Sequence, residues 1–218
     1  MADLALYGHP FSSYTWKALI ALYAIDAKFD FRVVDAEHPE HAAVVQSGGP
    51  LGKFPVLADG EHLIFESTTI IEYLALHHGG QDMLIPGNAD GAIGIRMIDR
   101  VFDNYVMGSM QVVVDEYIRD GANPDPARIT EAKDRLDRTY AWLEGWLEFY
   151  PAGDHISLIE CAAAPALFYA DWVHPIGDRF PRLAFWRKLL LGLPPVKRCV
   201  DDARPYRAWF PPGAPDRD

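Results

Sequence analysis

The chain has 218 residues, of which 50% are hydrophobic and 23% are charged, and its formal net charge is −11. This balance is typical of a folded globular protein, and the length allows one large domain or two small ones. A nucleic-acid-binding module would need a concentrated basic surface, so the acidic composition argues against that class. No apolar run reaches the roughly 18 residues of a membrane span, and residues 1–7 lack the regions of a signal peptide. We therefore expect a cytoplasmic protein without a membrane segment.

Residues 1–80 predict strands that alternate with helices. Residues 4–7 form a short apolar run that stops at Gly8, which is typical of a buried strand. From Trp16 onward, apolar residues recur at helical spacing, and in residues 29–34 they alternate with polar ones. The pattern therefore begins strand, helix, strand.

A hairpin and a further helix complete this first predicted domain. Residues 54–58 and 62–65 are apolar runs on either side of Asp59 and Gly60, which is a strong signal for two antiparallel strands. Another helical face begins at Ile70. With a helical or irregular stretch near residues 39–46, the order is β-α-β-(α)-β-β-α, that of a thioredoxin-like α/β domain.

Beyond residue 80 the pattern changes to helices alone. Residues 79–91 hold four glycines, one proline and little periodicity, so residues 81–91 predict a linker, and residues 92–218 predict an all-helical domain. Residues 205–218 hold four prolines and predict an extended tail. The helical stretches are 95–118, 126–149 and 157–172, with shorter helices after Pro181 and Pro195.

Pro55 is the first candidate for a functional role, because it falls inside an apolar run that predicts a strand. Proline cannot donate to a sheet ladder, so it needs an edge, a bulge or a cis bond. In that setting the backbone of Phe54 is free to pair with an outside peptide as an added strand.

Glu66 and Ser67 stand where the second hairpin strand gives way to a helix. Ser67, or Thr69 with Glu72 as a capping box, could simply start that helix. Alternatively, the helix start captures a carboxylate while Glu66 meets an ammonium, and a free α-amino acid end presents both charges.

Hydroxyl groups are concentrated at residues 12–15, between the first strand and the first helix. One hydroxyl is needed to cap the helix, and we expect Ser13 to do so. Another is then free to donate to a thiolate. A thiol with a pKa of about 8.5 is mostly neutral at pH 7, and lowering it by roughly two units needs about 2.7 kcal/mol. One hydrogen bond to a charged group supplies about 1.5–3 kcal/mol.

These segments occur in one order that resembles the cytosolic glutathione S-transferase family. Residues 12–17 resemble the serine motif of zeta-like and theta-like, bacterial-style members. Residues 52–57 resemble the family's cis-proline strand, and residues 65–74 its γ-glutamyl motif. Residues 156–161 are similar to the family's helix-capping box, with Glu160 where the family usually has Asp.

The resemblance implies a role for each of these positions. Ser12 would donate to the glutathione sulfur, with Ser13 and Tyr7 as the alternatives, although Tyr7 also fits a packed strand residue. The glutathione-binding residues that it implies are Lys53 for the glycyl carboxylate, Phe54 with cis-Pro55 for the cysteinyl backbone, and Glu66 with Ser67 for the γ-glutamyl end.

A weaker prediction concerns the second substrate. An apolar and aromatic stripe of helical period could line a pocket for an electrophile, although such a stripe is more often core. The pocket residues that it predicts are Tyr105, Met107, Met110 and Tyr117. Adjacent histidines make a poor metal site, so no metal is expected from His77 and His78.

The resemblance implies a detoxifying enzyme in which the glutathione thiolate attacks a small hydrophobic electrophile. Glutathione is then a co-substrate, and the family implies a homodimer. Two alternatives stay open: a glutathione-dependent isomerase, lyase or peroxidase, and a non-catalytic glutathione-binding stress protein on the same fold.

Overall fold

A computed structural model describes residues 4–218, which divide into two compact units. The N-terminal unit extends to Arg96 and includes Ile156–Cys161, and the C-terminal unit contains Met97–His155 and Ala162–Asp218. The domain boundaries given above, 1–80 and 92–218 with a linker at 81–91, stay a prediction.

The N-terminal unit has the predicted order of elements. It contains β1 (Leu4–Gly8), α1 (Ser13–Ala24), β2 (Asp30–Val33), α2 (Pro39–Gly48), β3 (Val56–Asp59), β4 (His62–Phe65), α3 (Ser67–His77) and the start of α4 (Ala89–Val101). The four strands form one sheet in the order β2-β1-β3-β4, in which β1 is parallel to β2 and antiparallel to β3. The thioredoxin-like fold is thereby confirmed.

Two details of the hairpin differ from the prediction. Pro55 lies just before β3 and not inside it, because a residue without an N–H cannot contribute a donor to the ladder. Glu72 does not close a capping box on Thr69, because its carboxylate accepts hydrogen bonds from Arg96 Nε and Nη2 at 2.7 and 3.3 Å.

The sheet is covered on both faces, which explains why β1 is apolar throughout. Ala5 and Tyr7 pack with Val45 of α2 and with Val56 of β3. Strand alternation turns Leu6 to the opposite face. Strand β1 is therefore buried between the helices, and the loops at the edge of the sheet carry the candidate functional residues.

The described secondary-structure elements of the C-terminal unit are all helices. A π-helix (Phe102–Met107) connects α4 to α5, so the predicted stretch 95–118 is one helix interrupted by a wider turn. The further helices are α5 (Gly108–Arg119), α6 (Pro126–Trp146), α7 (Leu158–Val173), α8 (Pro181–Gly192) and α9 (Pro194–Ala203). No helix within residues 4–218 is long and apolar enough to cross a membrane.

The prediction of an extended tail from residue 205 is wrong in its first part. Arg204–Trp209 form a 3-10 helix, and Phe210 after it is buried. The Phe210 ring contacts the rings of Tyr169 and Trp172, with centroids 6.1 and 5.1 Å away. Burial of this aromatic side chain holds the segment against α7.

Candidate functional site

Strand register brings the three predicted glutathione-binding segments to one edge of the sheet. Val56, the first residue of β3, pairs with Tyr7 near the end of β1 and with Phe65 at the end of β4. The turn after β1, the loop before β3 and the start of α3 after β4 therefore leave the sheet side by side. This edge is the candidate site.

Ser12 is the N-cap of α1. Its backbone is extended, with φ −93° and ψ 124°, and its Oγ accepts a hydrogen bond of 3.2 Å from the Thr15 N–H. The expectation that Ser13 caps the helix is therefore wrong, because Ser13 is already the first helical residue and is buried. A hydroxyl that accepts through its oxygen still has its own hydrogen to donate. Ser12 can thus cap the helix and donate to a sulfur at the same time.

His9 holds the turn that carries Ser12, a role that the sequence analysis missed. Its Nδ1 accepts the Phe11 N–H at 3.1 Å, and its carbonyl accepts the Ser12 N–H at 3.0 Å. Burial lowers the His9 pKa, while the Asp35 carboxylate opposes this effect. Because Nδ1 accepts a hydrogen bond, the ring is neutral with its proton on Nε2. The only sequence signal for this role is the position of His9 between a predicted strand and a predicted helix.

The same turn is closed by an indole. Trp16 is fully buried, and its Nε1 donates a hydrogen bond of 2.6 Å to the Pro10 carbonyl. The loop around Ser12 is therefore fixed from both sides, by His9 and by Trp16.

Tyr7 has the environment of a packed strand residue. It is 4% exposed, its Oη accepts a hydrogen bond from Arg32 Nη1, and the Arg32 guanidinium lies 5.3 Å from the ring centroid. The His41 ring meets it edge-on at 5.6 Å. These contacts favour the packing role of Tyr7 over a role at the sulfur.

The Phe54–Pro55 bond is cis, as predicted. Phe54 is 37% exposed and lies outside the register of both strand pairs, which begin at Val56. Its backbone groups are therefore not used by a neighbouring strand. Lys53 is exposed in the same loop.

Glu66 occupies the cap position of α3 in an unusual backbone conformation. Its φ is +66°, which a residue other than glycine rarely adopts, and its side chain makes no capping hydrogen bond. Such conformations cost about 1–3 kcal/mol and cluster at functional sites. Ser67 follows as the first helical residue and is buried, so neither capping alternative applies and both residues stay candidates for the γ-glutamyl end.

The predicted second-substrate residues do not share one exposed surface. Met107 and Met110 are 2% and 3% exposed, whereas Tyr105 is 56% exposed and Tyr117 is half-buried. Tyr105 lies in a groove of about 590 Å³ in the C-terminal unit, between the α4–α5 segment and α6. The groove is also lined by Met97, Arg100, Arg135, Arg138 and Trp142. A pocket for the electrophile stays a prediction.

Comparison with known proteins identifies the family. Residues 6–82 match the model of the family described as "Glutathione S-transferase, N-terminal domain". Glutathione S-transferase F6 of Arabidopsis thaliana is 30% identical over 213 residues, which cover 92% of this chain and 100% of that protein. Glutathione S-transferase 1 of Triticum aestivum is 26% identical over an alignment that covers 91% of this chain and 93% of that protein.

Solved structures agree in fold. A glutathione S-transferase from Methylobacterium radiotolerans, in complex with glutathione sulfonate, is 25% identical with a TM-score of 0.74, over 90% of this chain and 94% of that one. An epsilon-class glutathione S-transferase from the housefly, Musca domestica, has a TM-score of 0.81 at 23% identity, over 95% and 96% of the two chains.

The class expected from the serine motif needs correction. The curated relatives above are plant proteins, one of them designated F, and not zeta-like or theta-like bacterial-style enzymes. At the level of the family, the 30% identity over 92% of this chain and the shared fold agree, and this chain belongs to the glutathione S-transferase family.

Proposed function

We propose that the protein is a glutathione transferase in which the Ser12 hydroxyl stabilises the glutathione thiolate. The observation that carries the proposal is the position of Ser12 as the N-cap of α1, with its hydroxyl hydrogen unused among the described residues. The Thr15 N–H donates to the same oxygen and so polarises the hydroxyl, which makes it a stronger donor.

The chemistry follows from the ionisation of the thiol. The Ser12 O–H donates to the sulfur anion, and the N-terminus of α1 adds partial positive charge. Together they supply the roughly 2.7 kcal/mol that lowers a thiol pKa by about two units. The thiolate then attacks an electrophilic carbon of a small hydrophobic substrate and forms the C–S bond of a thioether. Either a leaving group departs from that carbon with its bonding electron pair, or the electron pair of a polarised double bond moves to its far atom, which takes up a proton from solvent. The proton released on ionisation passes to solvent.

The peptide part of glutathione is held at the same edge of the sheet. The Phe54 backbone pairs with the cysteinyl residue as an added strand. Glu66 and Ser67 meet the γ-glutamyl end, and Lys53 meets the glycyl carboxylate as a point charge. We include a homodimer and a cytoplasmic location in this proposal, in line with the family.

Ser12→Ala and Ser12→Gly together test the role of the hydroxyl. Both remove it, so the pKa of the bound thiol should rise by about one to two units and turnover near pH 7 should fall roughly ten- to a hundredfold. Their effects on stability should differ, because Ala at an N-cap costs about 1 kcal/mol and Gly only a few tenths. Ultraviolet titration of bound glutathione and urea unfolding measure the two effects separately.

Two matched controls identify the donor. Ser13→Ala and Tyr7→Phe should leave the thiol titration unchanged. If either of them shifts it and the Ser12 variants do not, the assignment to Ser12 fails. If wild-type protein binds no glutathione at millimolar concentration in calorimetry, the proposed function itself fails.

A further inference from the structure

The groove between the α4–α5 segment and α6 has the size and the lining of a small-molecule site. Its volume of about 590 Å³ lies within the range of about 300–1,000 Å³ that is usual for ligand pockets. Its side chains Met97, Tyr105 and Trp142 are each at least half exposed. The groove therefore offers a ligand aromatic and thioether surface that solvent can reach.

Two guanidinium groups of this groove have no partner within residues 4–218. Neither Arg135 nor Arg138 makes an ion pair or a side-chain hydrogen bond there. The third arginine differs, because Arg100 Nη2 donates to Asp103 at 2.8 Å and also to Asp99. The charge of Arg100 is therefore compensated, whereas the charges of Arg135 and Arg138 are not.

Helical spacing places these two charges beside an aromatic ring. Arg135, Arg138 and Trp142 follow one another in α6 at intervals of three and four residues, so they share one face of that helix. Tyr105 lines the groove from the π-helix, a kind of wider turn that is frequent at functional sites. Two cations and two rings thus line one groove.

The aliphatic hydroxyls of the groove are already used as donors within their own helices. Ser109 Oγ donates to the Tyr105 carbonyl at 2.6 Å, and Thr139 Oγ1 donates to the Arg135 carbonyl at 2.8 Å. No carboxylate is among the described residues that line the groove. The charged groups that remain for a ligand are therefore the two guanidiniums, whose N–H donors match the oxygens of an anionic group.

We propose that this groove binds a small aromatic anion, a planar ring system that carries a carboxylate or a sulfonate. The ring packs against Trp142 and Tyr105, and Arg135 and Arg138 bind the anionic group. The formal net charge of −11 makes the surface as a whole repel anions, so binding depends on this local positive charge. The inference does not depend on Ser12, and it adds a second binding site to the proposed function.

The test pairs a charged probe with a neutral counterpart. Naphthalene-2-sulfonate and naphthalene-2-sulfonamide share their ring system and differ in charge. In calorimetry on the full chain, Arg135→Gln combined with Arg138→Gln should weaken the sulfonate roughly ten- to a hundredfold. The neutral sulfonamide should lose no more than about threefold. Trp142→Ala removes ring surface and should weaken both probes about two- to tenfold.

Two lysines outside the groove provide a control for net charge. Lys133→Gln combined with Lys188→Gln removes the same number of charges and should leave the sulfonate affinity within about twofold of wild type. An equal loss in this control would show attraction by net charge alone and would overturn the inference. Equal weakening of both probes by the arginine variant would overturn it too, as would a sulfonate that does not bind wild type at millimolar concentration.

Saturating glutathione distinguishes this groove from the candidate site at the sheet edge. The sulfonate affinity should be unchanged, and displacement by glutathione would overturn the inference. Light scattering of the arginine variant should give the wild-type mass, whereas a smaller mass would show that the groove is a contact between subunits and would contradict a ligand site. If the double variant fails to fold, Arg138→Gln alone changes an exposed residue and provides the same comparison.

Discussion

The Ser12 hydroxyl can both accept and donate hydrogen bonds, and α1 uses it only as an acceptor, from the Thr15 N–H. The role of Ser12 as a donor to the sulfur stays a prediction, whereas the cap that the sequence analysis assigned to Ser13 belongs to Ser12. Two adjacent serines look alike in a pattern, and only the backbone angles decide which one precedes the first helical residue. His9 shows the same limit, because its bond to the Phe11 N–H depends on a turn that no periodicity describes.

His9 provides a prediction at this scale. His9→Leu leaves the Phe11 N–H without its acceptor and should destabilise the protein by about 1 kcal/mol. His9→Asn, whose side-chain oxygen can take the place of Nδ1, should lose less. Urea unfolding at pH 7.5 measures both, and equal stability of wild type and His9→Leu would contradict the role of this bond.

His9 should also make the stability of the folded chain depend on pH. The pKa of His9 is lowered in the folded chain, chiefly by burial. The neutral ring therefore contributes stability that is complete above the unfolded pKa of about 6.5 and is lost as the pH falls through the lower folded value. His9→Asn should lack this part of the pH dependence, and identical profiles for wild type and variant would contradict it.

Among the elements, α7 begins as its sequence predicts. Glu160 Oε2 accepts hydrogen bonds from the Ser157 N–H at 2.8 Å and from Ser157 Oγ at 2.6 Å, while the Ile159 N–H donates to Ser157 Oγ at 3.1 Å. A capping box spans only four residues, so its pattern is visible in the sequence. The Glu72–Arg96 pair joins residues far apart in the chain, and no local pattern could predict it.

Replacing the capping carboxylate tests this element. Glu160→Ala leaves a buried N–H and a buried hydroxyl of Ser157 without their acceptor and should cost about 1–3 kcal/mol in the free energy of unfolding. Glu160→Asp introduces the residue that the family usually has and keeps a carboxylate. It should therefore reduce the free energy of unfolding by less than half as much as Glu160→Ala. Urea unfolding compares the two, and an equal loss would show that volume rather than capping matters at this position.

For the whole molecule, the order of elements was predictable and the finer class was not. Apolar residues recur every second residue in a strand and about every 3.6 residues in a helix, so the two element types can be told apart in the sequence. Their order then predicted the thioredoxin-like unit. The class within the family depends on small differences in motifs, and a single sequence does not show which of these differences distinguish one class from another. The tail was mispredicted because its prolines suggested an extended segment, whereas Phe210 is buried against α7.

The proposed homodimer is a prediction for the whole molecule. Leu76 of α3 and Ile93 of α4 are 76% and 63% exposed, and such apolar side chains favour an interface when they form a patch. Light scattering should give twice the 24.4 kDa of one subunit. Leu76→Glu combined with Ile93→Glu should shift the mass toward one subunit, because an unpaired charge resists burial. A wild-type mass of one subunit at working concentration would contradict the dimer.

The indole of Trp16 has a practical consequence for spectroscopy. The chain has six tryptophans, and Trp16 is the one within the N-terminal unit. Its Nε1 is bonded to Pro10 in the turn that presents Ser12, so its fluorescence depends on the hydrogen bonding of that turn. Replacing the other five by phenylalanine would leave a single emitter at the candidate site. Fluorescence would then report directly whether glutathione binds at the proposed Ser12 site, without a label and without a second substrate.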